Sequence, residues 1–122
     1  MKKDTPRQKV YFSPETAGEI EAFQGETLRP ILKELHHTII KLYYHYLDHF
    51  GIDLQQQSDS QRMDFAENAL KKDSTLKNIL IGSVIGHLNE NELEFYLSHE
   101  SELKKRITAL LIKRIQDSIR RK

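Results

Sequence analysis

Apolar residues recur three and four apart along most of this 122-residue chain. That is the spacing of one face of an α-helix, and no stretch shows the alternation of a half-buried strand. Leu28, Ile31, Leu32, Leu35, Ile39, Leu42, Tyr43, Tyr46 and Phe50 keep to it. At about 100° per residue these positions fall within an arc of about 120°. Ile40, Tyr44 and Leu47 lie outside that arc, on an adjoining stripe. Thr27 is placed to cap this helix, Pro30 suits its first turn and Gly51 its end, so the pattern predicts a helix over 27–50. The second pattern is LKNILIGSVIGHL, Leu76 to Leu88, apolar on nearly every side. A helix of that kind must be enclosed by other elements. Its 13 residues fall short of the roughly 20 that span a bilayer, so protein is the expected enclosure. Gly82 and Gly86, four apart, would let a neighbouring backbone approach closely.

Local start signals predict the remaining elements. Ser13-Pro14-Glu15 opens a short helix reaching Phe23, with a side-chain cap, a proline where its missing N–H costs nothing and an acid near the dipole's positive end. Ser58 with Gln61 makes a capping box for a helix through about Lys72, and Asp73-Ser74 caps the apolar helix. Asn89 with Glu92 repeats the box ahead of Leu93, Phe95, Tyr96 and Leu97, and Ser98 or Ser101 starts the last helix. On that helix Leu103, Ile107, Leu110 and Leu111 form one stripe, and Ile112, Ile115 and Ile119 a second beside it. The expected fold is all-α: a small bundle of four to five helices around a central apolar helix at about 75–88, with 27–50 and 99–121 as the other principal members. Residues 1–12 are expected to form a mobile N-terminal arm, and 13–122 a single helical domain.

Composition narrows the chemistry. There are no cysteines, so disulfides, thiolate metal sites and cysteine nucleophiles are excluded together. The formal charge is +1, and no global field points to nucleic acid or a membrane surface. The charged start, MKKDTPRQKV, has no apolar run behind it and argues for a cytoplasmic protein. No Gly-rich phosphate loop, G-x-S-x-G elbow or Rossmann fingerprint occurs.

Arg29, in the first turn of the 27–50 helix, could hold an anion or clamp a carboxylate, but a salt bridge to Glu26 or Glu34 is the expected reading. Three further groups of residues are candidates. His45 and His49 stand at i and i+4, where one helix can offer two imidazoles to a metal, and Glu34 and His37 form a Glu-x-x-His half-motif. A zinc or iron site would draw on these four, although the chain holds no second half-motif and His37 points about 120° away from His49. Arg106, Lys113 and Arg120 share one face of the last helix, but no aromatic accompanies them, which argues against nucleic acid. The adjoining stripes are the third: either the 27–50 helix touches two neighbours within the bundle, or Ile40, Tyr44, Leu47, Ile112, Ile115 and Ile119 exceed what so short a chain is expected to cover and suggest a homodimer or another protein partner.

The segments ETLRPILK (26–33), KKD followed by LKN (71–78), IGH (85–87) and ESELKKRI (100–107) resemble a group of short, all-helical bacterial proteins often named glyoxalase. The resemblance covers most of residues 23–115 and implies a small helical bacterial protein. It carries over no functional residue. Glyoxalase I-like enzymes place His and Glu ligands on the strands of paired βαβββ modules, and zinc-dependent glyoxalase II needs a T-H-x-H-x-D-H motif, which is missing here. The doubled apolar stripes of 27–50 and 99–121 make the expected function a non-catalytic interaction or assembly module that self-associates. The alternatives are a metal-binding helical protein, an oxidoreductase or hydrolase, and a nucleic-acid accessory factor.

Overall fold

Four of the local start signals, Ser13, Ser58, Asp73 and Asn89, act as helix caps. In a computed structural model, which describes residues 13–120, Ser13 accepts the Thr16 N–H at the head of α1 (Pro14–Phe23). The expectation for residues 1–12 lies outside the described residues. Helix α4 (Asp59–Lys72) opens on a reciprocal box, Gln61 N–H to Ser58 Oγ and Ser58 N–H to Gln61 Oε1. Asp73 accepts the Thr75 and Leu76 N–H groups at the start of α5 (Ser74–Ile85). Asn89 and Glu92 form a second box for α6 (Glu90–Ser98). Each of these contacts satisfies N–H groups that a helix start would otherwise leave unpaired.

Residues 14–49 form one nearly unbroken helical run, which corrects the expected start at Thr27. Phe23 and Gln24 are both helical, and the chain passes from α1 through a π turn (Gln24–Leu28) into α2 (Arg29–Glu34). Pro30 supplies the reason. It has no N–H to give the carbonyl four residues back, and its ring crowds that carbonyl. The turn widens instead, and the Arg29 N–H reaches the Gln24 carbonyl. The added residue keeps Leu28 on the buried side with Ile20 and Phe23. After one distorted residue, Leu35 (φ −89°, ψ 7°), α3 (His36–His49) continues to Phe50. Gly51, at φ 65°, then ends it as expected. The Ile52 N–H bonds the Leu47 carbonyl and the Gly51 N–H that of Asp48, the paired bonds of a Schellman stop.

Helix α7 (Glu100–Arg120) is the axis of the packing and meets α3, α4, α5 and α6. Leu103, Ile107, Leu111, Ile115 and Ile119 are all buried along it. Successive residues four apart advance about 40° around a helix, so this buried line turns through about 160° over its length. Different stretches of one line therefore face different neighbours. The two stripes seen in the sequence are a single winding contact, and each of its buried side chains contributes about 1.5–3 kcal/mol. Gln116 donates to the Met63 carbonyl and ties α7 to α4. No serine caps α7: Ser98 donates its hydroxyl to the Glu94 carbonyl, and His99 (φ −129°, ψ 36°) makes the corner from α6.

The apolar run expected at the centre, 75–88, is helical only as far as Ile85, where α5 ends at Gly86, and it lies against one side of the bundle. Leu76, Leu80, Ile81 and Val84 are buried, while Ile79 is 50% exposed. Gly82 and Gly86 face solvent, and an added Cβ at Gly82 would meet nothing within 4 Å. The close helix crossing expected there does not occur. The described residues contain no strand and share one apolar core, so the all-α expectation holds. Among them no helix is long and apolar enough to cross a membrane.

Candidate functional site

The histidines gather at the solvent side of α3. His45 and His49 stack with ring centroids 6.1 Å apart, and both are exposed. His37 is exposed near the other end of α3, packed edge-on against His36 at 5.4 Å, and Glu34 is exposed at the end of α2. The four residues expected to ligate a metal are thus spread over two helices. Among the described residues no group of three or more histidines and carboxylates comes together as a metal site. What the histidines do join is aromatic. His49 meets Phe50 edge-on at 4.9 Å, and Phe50 lies 5.1 Å from Tyr46. His45, His49, Phe50 and Tyr46 form a chain of touching rings at the C-terminal end of α3.

Tyr46 anchors that chain to the body. Its hydroxyl donates to Asp73 Oδ2 at 2.8 Å, so the residue that caps α5 also holds α3. This bond lowers the carboxyl pKa of Asp73, against the opposing effect of desolvation. Burial and the same bond raise that of the Tyr46 phenol. Phe50 has no such tether and is 59% exposed. Its spacing placed it on the inner face of the helix. Gly51 ends the helix immediately afterwards, so Phe50 stands beyond the last element that could cover it.

The six expected interface residues divide. Leu47, Ile112, Ile115 and Ile119 are buried by the chain's own helices, because the winding of α7 uses both stripes within one molecule. Ile40 is half-buried, and Tyr44 is 41% exposed. The basic stripe also divides. Arg106 is half-buried and donates to Glu102 at 2.9 Å and to Gln24 Oε1 at 2.9 Å, which fastens α7 to the π turn. Lys113 lies 3.6 Å from Asp117, and Arg120 is exposed. The three cations do not form one continuous basic track.

Two tyrosines are buried deeply with their hydroxyls unpaired among the described residues, Tyr43 on α3 and Tyr96 on α6. Burial raises the pKa of both phenols. Both therefore stay protonated at neutral pH and act as core residues. No family model, curated protein or solved structure matches the chain.

Proposed function

We propose that the chain is a non-catalytic protein-interaction module that self-associates through the aromatic end of α3. The observation that carries this reading is the chain of rings that runs through the exposed Phe50, with Tyr44 exposed on the next flank of the same helix. Aromatic side chains of this kind dominate binding energy at interfaces, where charged residues are depleted at the centre. Residues 42–50, LYYHYLDHF, carry one charged side chain, Asp48, in a chain that is 30% charged. The rings already pack on one another, which lowers the ordering cost of association. A two-fold pairing would place the same patch on both copies and close the assembly.

Sedimentation equilibrium tests the reading. The expected result is a dimer in the micromolar range, with Phe50→Glu weakening it by about tenfold or more, since it places a charge at the contact centre, and Tyr44→Glu, on the flank, weakening it less. Helicity should be unchanged, because both side chains are exposed in the monomer. A wild-type chain that stays monomeric at high micromolar concentration overturns the proposal.

A further inference from the structure

Positive charge is concentrated on the side of the bundle where α2 faces the C-terminal half of α7. A cleft of about 570 Å³ lies there. Arg29, Lys33 and His36 line one wall, and Lys113, Arg114 and Asp117 the other. The grouping follows from helix geometry. Residues 29, 33 and 36 are four and three apart, as are 113 and 117 and 114 and 117, so each set shares a face. Four cations thus surround one carboxylate, in a chain whose formal charge is only +1. That carboxylate, Asp117, is already 3.6 Å from Lys113. Arg29 and Lys33 have no ion pair within 4 Å among the described residues, and the local acids Glu26 and Glu34 do not reach Arg29.

Arg114 is positioned as well as present. Its Nη1 donates to His36 Nδ1 at 3.2 Å, which places the imidazole proton on Nε2 and fixes one edge of the guanidinium. The other walls are Gly25, Pro30 and Leu110. An added Cβ at Gly25 would meet nothing within 4 Å, so the π turn leaves open space at this edge. The volume lies in the range of small-molecule sites, which are typically about 300–1,000 Å³ with a few convergent polar groups.

We infer that this cleft binds a small phosphoryl-bearing molecule, with Arg29 and Arg114 gripping the phosphoryl oxygens from opposite walls and Lys33 adding charge. Arginine suits the task because its planar fork makes paired hydrogen bonds to phosphate oxygens. Pro30 and Leu110 offer apolar surface to whatever carries the phosphoryl group. A nucleic-acid strand fits less well. It would need a longer basic track, and Arg106, the cation that would extend this one along α7, is engaged with Glu102 and Gln24.

Titration of ¹⁵N-labelled protein with adenosine 5′-monophosphate, inorganic phosphate, sodium acetate and a single-stranded oligonucleotide tests the inference. The mononucleotide should shift the amides of the α2 and α7 walls. Arg29→Gln and Arg114→Gln should each weaken its binding by about tenfold or more, the usual effect of losing a charged hydrogen bond. Lys105→Gln, outside the cleft, should leave binding unchanged and shows whether general charge is responsible. Inorganic phosphate binding at the same amides assigns recognition to the phosphoryl group alone, and weaker phosphate binding assigns part of it to Pro30 and Leu110. Unchanged amides up to about 10 mM mononucleotide, equal shifts with acetate, or tighter binding of the oligonucleotide spread over α7 would each overturn the inference. Arg29 and Lys105 are exposed and Arg114 is half-buried, and circular dichroism verifies the fold of every variant.

Discussion

Replacing Tyr43 by phenylalanine should stabilise this protein, against the usual outcome of a core substitution. The ring is 1% exposed in the middle of α3, and its hydroxyl has no partner among the described residues. A buried polar group without a hydrogen bond costs about 1–3 kcal/mol in desolvation. Phenylalanine keeps the ring and removes the oxygen, so part of that cost is recovered and part is offset by the contacts the oxygen made. The expected net gain is about 1 kcal/mol at pH 7, read as a higher urea midpoint with an unchanged slope. Alkaline pH gives an independent check. Burial, then the neighbouring Tyr44 and Tyr46, raise the folded-state pKa of Tyr43 above the ordinary phenol value. The neutral phenol is therefore favoured by folding. Its contribution is fully present below the unfolded pKa of about 10 and is lost as pH rises towards the folded value, at up to about 1.4 kcal/mol per pH unit. Tyr43→Phe lacks that group, so its advantage over the wild type should widen above pH 10, with Tyr96 leaving a residual slope in both. A loss of more than about 1 kcal/mol at pH 7 would mean that the hydroxyl is hydrogen-bonded, a difference that does not change with pH would mean that the phenol ionises as easily folded as unfolded, and either would refute the reasoning.

Other perturbations separate the roles of individual helices. Leu111→Ala, at a fully buried position on α7, should cost about 2–5 kcal/mol in urea unfolding, whereas Ile79→Ala on the exposed side of α5 should change stability by no more than about 0.5 kcal/mol. A larger loss at Ile79 would restore α5 as the centre of the bundle. Asp73→Ala should lower the Tm by removing the cap of α5 and the acceptor of the Tyr46 hydroxyl together. Because the folded-state pKa of Asp73 is lowered, the wild-type advantage is present above the unfolded carboxylate pKa and fades as pH falls through the folded one. An advantage that persists unchanged in strong acid would count against the Tyr46 bond.

Much of the fold could be read from short-range chemistry. Ser13, Ser58, Asp73 and Asn89 each start a helix because the groups they satisfy lie two or three residues ahead. Gly51 stops one because only local backbone geometry is involved. These decisions need no tertiary partner, and they are sufficient for an all-α chain with its helix boundaries mostly in place. Thr27 is the instructive failure. A cap signal was present, but the run of buried Ile20, Phe23 and Leu28 kept the helix continuous through a π turn.

Which faces find a neighbour depends on three-dimensional packing. Periodicity assigns Ile79 and Leu80 to a helix of the same apolar character, but only packing leaves the first in solvent and buries the second. The second stripe of α7 exceeds what so short a chain is expected to cover, but a line advancing about 40° every four residues meets several neighbours. The basic cleft was equally hidden, since Arg29 and Lys33 are separated from Lys113 and Arg114 by about 80 positions in the chain. Helix formation rests on bonds between near neighbours and is written locally. Burial, the aromatic end of α3 and the grouping of cations depend on how separate helices meet, and no spacing along one helix carries that information.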